Sequence, residues 1–128
     1  MAGPSTRERL RAQRQHWHEL DDPPRRALLL ERPQVVTMLP IRGRPTFDQL
    51  RKIAEDHIVG WRGITQADLL GAAIGASDQE PFDKALLLEW LADHPEVITE
   101  AARTMMDLLR VYNQREDAAA KNSPTPST

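Results

Sequence analysis

The last third of the chain constrains the fold most. From Pro95 onward, Ile98, Ala101, Ala102, Met105, Leu108, Leu109 and Tyr112 recur at i, i+3, i+4, i+7 spacing, which gathers them on one face of an α-helix. The pattern predicts a helix over about 95–118, the longest of the chain. At 1.5 Å per residue such a helix is roughly 35 Å long. An apolar stripe of that length is stable in water only when other elements cover it. Pro95 suits the first helical turn, and Glu96 suits the positive end of the helix dipole.

The covering elements are legible from their caps. Thr46 and Gln49 form a capping box, followed by Phe47, Leu50, Ile53, Ala54, His57 and Ile58 on one stripe, which predicts a helix over 46–59. Gly60 suits the left-handed residue just past a helix end, where it lets Trp61 fold back on the preceding turn. Thr65 and Asp68 open a shorter helix, 66–73, ended by Gly75. Asp83 is an N-cap, with Phe82 before it and Leu87 after it in the arrangement of a hydrophobic staple. Phe82, Leu86, Leu87, Trp90 and Leu91 then form the apolar face of a helix over 84–93.

The first 44 residues are less regular. Ser5 and Glu8 make another capping box and predict a helix over 6–20, docked by Trp17 and broken by DDPP at 21–24. The apolar runs Ala27–Leu30 and Val35–Leu39 flank ERPQ, and the β-branched Val35, Val36 and Thr37 favour a strand. A short hairpin over 27–39 or an extended arm is expected. The fold class is therefore a mostly α, small single-domain helical bundle with that hairpin or arm at its N-terminal end. An arginine- and proline-rich helix and arm occupies 1–44, a helical core 45–120 and a disordered tail 121–128.

With 128 residues, 40% of them apolar and 28% charged, the chain has room for one globular domain. It has no cysteine, which leaves no thiolate nucleophile or cysteine metal site and suits a reducing compartment. No apolar run approaches the ~20 residues of a membrane span, and MAGPSTRERLRAQ lacks the apolar stretch of a signal peptide. A cytoplasmic location is expected. The net charge of −2 divides into +3 over residues 1–50, where every basic residue is an arginine, and −5 over 51–128.

Catalytic patterns fail one by one. His16 and His18, two apart, would point to different sides of a helix, and His57 and His94 read as a boundary and a helix-joint residue, so no metal site is expected. GAAIGASD at 71–78 has no lysine after its second glycine and follows a helix, which excludes a phosphate loop. Ser77 lacks the second glycine of a nucleophile elbow. The expectation is a non-enzyme without cofactor. Residues 64–91 resemble a repressor-type helix-turn-helix. However, the segment 78–90 carries Asp78, Glu80, Asp83 and Glu89 against Lys84 alone, a charge balance that DNA phosphates would repel.

A second resemblance covers about residues 45–122. The order RPTFDQLRKIAEDH, VGWRGI, a small or acidic loop, PFDKALLLEWLADHPE, a long closing helix and REDAAAKN resembles the small tail assembly chaperones of long-tailed bacteriophages. The Trp61/Gly63 corner, the Pro81-Phe82-Asp83 helix start and the Asp93-x-Pro95-Glu96 joint carry it. The resemblance implies a mostly helical, non-enzymatic protein of the host cell cytoplasm that is absent from the mature virion. Its implied partners are the tape measure protein and the tail tube protein. Met105, Met106, Leu109 and Trp90 are the candidate partner contacts, with Trp61, Phe82 and Gly60 as structural anchors. A helical adaptor or self-associating structural protein is the alternative, and a DNA-binding regulator the third.

Overall fold

A computed structural model describes residues 3–122. The chain is 55% helical and also builds a three-stranded antiparallel sheet, so it is mixed α and β rather than all-α. The N-terminal part runs α1 (Thr6–Arg14), β1 (Gln15–Glu19), β2 (Ala27–Glu31) and the short α2 (Val35–Met38). The remainder runs α3 (Phe47–His57), β3 (Ile58–Arg62), the short α4 (Gln66–Leu70), α5 (Lys84–Ala92) and α6 (Pro95–Asn122). The sheet order is β1-β2-β3, and α3 and α5 both pack on α6.

Four expectations are corrected by the structure. The helix expected over 6–20 stops at Arg14, because Gln15–Glu19 pairs along Ala27–Glu31 and the ladder hydrogen bonds replace helical ones. The hairpin expected over 27–39 does not form. Ala27–Glu31 is the central strand and Val35–Met38 is a single helical turn, while the intervening Pro33 is fully buried. Gly60 does not terminate a helix: it lies inside β3 opposite Leu29, and α3 passes directly into that strand at Ile58. The short helix ends at Leu70 with Gly71 (φ 97°) as its C-cap, ahead of the expected Gly75.

The helices cover one face of the sheet. Leu28 and Leu30 of β2 point into the core, and their partners across the ladders, His18 and His16 on β1 and Trp61 and Ile58 on β3, share that face. Ile58 and Trp61 are three apart and would face opposite ways on a regular strand. A register shift between Leu29 and Leu30 brings both inward. On the other face the small Ala27 separates Glu19 from Arg62, which pair across it, and the Arg62 guanidinium lies 4.5 Å from the Trp17 ring centre.

Leu50, Ile53 and Ala54 of α3, Leu87, Trp90 and Leu91 of α5, and Val97, Ile98, Ala101, Ala102, Met105 and Leu109 of α6 complete the core. The Thr46–Gln49 capping box fixes the start of α3. Lys84 closes its end by donating to the carbonyls of Glu55 and Ile58. Burial lowers the Lys84 pKa, against the pull of Asp56 and Glu55. Beyond Leu109 every residue of α6 to Asn122 is exposed, so the second half of the helix reaches past the body. Lys121 and Asn122, expected in a disordered tail, close this helix, and the rest of that tail lies outside the described residues.

Candidate functional site

The Gly-Trp bend is a packing corner. Trp61 meets Phe82 edge to face with ring centroids 5.2 Å apart, and its Nε1–H donates to the Glu80 carbonyl at 2.7 Å. Gly63, at φ 73°, turns the chain out of β3, and a β-carbon there would stand 1.9 Å from the Arg25 carbonyl oxygen. Gly60 serves close approach instead: a β-carbon on it would meet Leu29 Cβ at 3.2 Å. Next to the corner, Asp68 joins two parts of the chain. It caps α4 with Thr65 and accepts both Nη groups of Arg25 at 3.1 and 3.2 Å. Burial raises the Asp68 pKa, but the hydrogen bonds from Arg25 and Thr65 together outweigh it and hold the carboxyl below its ordinary value.

The residues expected to greet a partner are mostly inside the chain. Met105 is fully buried, and Trp90 and Leu109 are buried, in the seam where α6 meets its neighbours. Met106 is half-buried against the same core. The apolar stripe of α6 up to Leu109 is covered by this chain's own sheet and helices, and Met105 and Leu109 are buried in it. His94 stacks on Trp90 with centroids 4.5 Å apart and reaches the Trp90 carbonyl through Nδ1. His57 does the same to the Ile53 carbonyl at 2.8 Å. Because β1 is a strand, His16 and His18 point to one side rather than to two. His18 Nε2 lies 2.9 Å from Glu100 Oε1.

The apolar surface left outside lies where the sequence reading did not put it. The α2 turn is tethered from below by Met38 and Ile41, which pack on the core. It presents Val35, Val36 and Leu39 outward, the last two 64% and 66% exposed. Pro40 and Ile41 then face Gln49, Lys52, Ile53 and Asp56 of α3 across an open groove of about 220 Å³. Pro33 and Pro40 bracket this stretch, and their power to deny strand pairing was the signal available in the sequence. A second exposed pair is Leu70, at the end of α4, and Ile74 (80% exposed) beyond it. Leu69, Leu86 and Trp90 line the adjoining groove, and the Trp90 indole N–H is buried and meets no acceptor among the described residues.

This arrangement presents exposed apolar ridges beside open grooves. Among the described residues no group of three His, Asp or Glu side chains could hold a metal ion, and no helix is long and apolar enough to cross a membrane. α5 turns Leu87, Trp90 and Leu91 into the core and leaves Glu89 exposed. Comparison with protein-family models, with curated proteins and with solved structures returns no match to this chain.

Proposed function

We propose that the chain is a tail assembly chaperone of the long-tailed bacteriophage type. It would be a non-enzymatic, cofactor-free protein of the host cytoplasm that holds segments of the tape measure and tail tube proteins by reversible apolar contact. The observation that carries this reading is the α2 ridge: Val35, Val36 and Leu39 stand exposed beside the Pro40–Ile41 groove, on a turn anchored to the core from beneath. Contiguous exposed apolar side chains of this kind mark surfaces that bind other polypeptides. A helical segment with apolar residues at i and i+3 or i+4 is a natural occupant. The motifs behind the resemblance also act together, since Trp61 of the corner packs on Phe82 of the Pro81-Phe82-Asp83 helix start.

Co-expression with a tape measure fragment tests the reading. The chain should keep the fragment soluble, and the Val36→Glu/Leu39→Glu variant, with an unchanged unfolding midpoint, should leave it in the pellet. A fragment equally soluble with the variant, or without the chain, would remove the proposal. A second reading, a self-associating structural protein, draws on the exposed turns of α6 after Leu109, which include Val111. Concentration-dependent sedimentation of the isolated chain would favour it.

A further inference from the structure

A basic cleft lies away from the α2 ridge, where the end of α1, the end of β2 and α6 meet around an open space of about 280 Å³. Arg14, Arg32 and Arg115 line it together with His16, and no Asp or Glu does. Arg25, Arg26, Arg51, Arg62 and Arg110 each pair with a carboxylate. Arg14, Arg32 and Arg115 pair with none among the described residues.

The fold holds two of these cations in place. The Arg32 N–H donates to the Arg14 carbonyl at 2.7 Å, which brings the two residues side by side where the β1–β2 ladder begins. The Arg32 guanidinium is fixed by its bond to the Pro33 carbonyl, 2.9 Å, and by lying 3.9 Å from the centre of the Tyr112 ring. The Arg14 Nε is buried and meets no acceptor among the described residues. A buried donor left unpaired is costly. Arg14, Arg32 and Arg115 line one cleft with no carboxylate among them, and an anion seated there offsets their like charge.

We propose that this cleft binds an acidic segment of a polypeptide partner, with a carboxylate seated among Arg14, Arg32 and Arg115 and a neighbouring apolar side chain against Leu108 and Val111. The inference rests on the polypeptide-binding reading for the nature of the ligand. The apolar half of the lining favours a peptide over a nucleic acid, because a sugar–phosphate chain has nothing to place against Leu108 and Val111. The Tyr112 ring of the cleft already has Arg32 against one face, which takes that face from a stacking base. Arg7 and Arg11 stand on the same side of α1 as Arg14 by helical spacing, so the positive field extends along the helix toward further acidic residues.

Fluorescence anisotropy with a short labelled peptide of aspartate and leucine tests the site on the full chain. Its asparagine counterpart and a labelled single-stranded oligonucleotide are the comparisons. The aspartate peptide should bind, its asparagine counterpart should not, and Arg115→Gln and Arg32→Gln should each weaken binding about tenfold or more. Arg115 is exposed on the overhanging part of α6, so Arg115→Gln should leave the unfolding midpoint unchanged and keeps the test open if Arg32→Gln loosens the fold. Binding that is absent, indifferent to Arg115→Gln, or tighter for the oligonucleotide would overturn the assignment. A tape measure fragment kept soluble by a chain that ignores the aspartate peptide would remove this cleft while leaving the proposed function standing.

Discussion

Trp61 and Phe82 meet edge to face at 5.2 Å, with their planes at 83°, and so join the strand β3 to the approach of α5. The contact reinforces a short backbone pairing beside it, where the Glu80 N–H donates to the Ile64 carbonyl and the Gln66 N–H to the Asp78 carbonyl. Trp61→Ala should therefore cost about 3–5 kcal/mol, enough to unfold much of a marginally stable domain. Trp61→Phe keeps a ring but leaves the Glu80 carbonyl without its indole donor, for a loss of about 1–2 kcal/mol. Urea denaturation followed by circular dichroism separates the two outcomes.

Gly63 and Gly71 form a matched pair. Both have positive φ, but a β-carbon on Gly63 would strike the Arg25 carbonyl, whereas one on Gly71 would enter open space. Gly71→Ala should cost about 1–2 kcal/mol from backbone conformation alone. Gly63→Ala should cost about 3 kcal/mol or more, the added part being steric. Equal losses in thermal unfolding would show that the close approach of Arg25 contributes nothing.

Acid should loosen the turn between β1 and β2 together with the start of α4. Arg26 hydrogen-bonds to Asp21 and holds its carboxyl below the ordinary value despite partial burial. Asp68 is lowered as well. A depressed folded pKa gives stability that is present above the unfolded pKa and is lost as pH falls through the folded one. The unfolding midpoint should therefore drop as pH falls below about 4. In Asp68→Asn that slope should be shallower and the midpoint lower at neutral pH, and an unchanged slope would place the acid sensitivity elsewhere.

The face of α6 can be tested directly. Met106→Glu puts a carboxylate against the core and should lower stability by about 2 kcal/mol or more. Val36→Glu, on the exposed side of α2, should stay within about 0.5 kcal/mol of the parent. Chemical denaturation of both variants checks the pair, and loss of partner solubilisation by the folded Val36→Glu variant alone would locate the contact on α2.

What the sequence revealed was what is encoded locally. The Thr46–Gln49 box, the Asp83 cap and the stripe of α6 each lie within a few residues, and the corresponding helices begin where those signals place them. The sheet was hidden because its causes are distant. Gln15–Glu19 continues a well-capped helix with no breaker at Arg14, and only Ala27–Glu31, brought alongside, makes it a strand. Gly60 and Trp61 imitated a helix terminus for the same reason: β3 exists through its pairing with β2. The stripe of α6 pointed to apolar residues that matter without telling whether they face this chain or another. Arg14, Arg32 and Arg115 come from three separate elements, and no spacing rule unites them.

The overhang of α6 has a dynamic consequence. Up to Leu109 its turns are pressed against the sheet and the other helices, while the turns after it are exposed, with Arg32 against Tyr112 near their start. A helical stretch of that length is marginal by itself. Amide protons should therefore exchange slowest around Ala101 to Met105 and progressively faster toward Asn122, so that one continuous rod loosens gradually along its length while its root opens only when the whole molecule does.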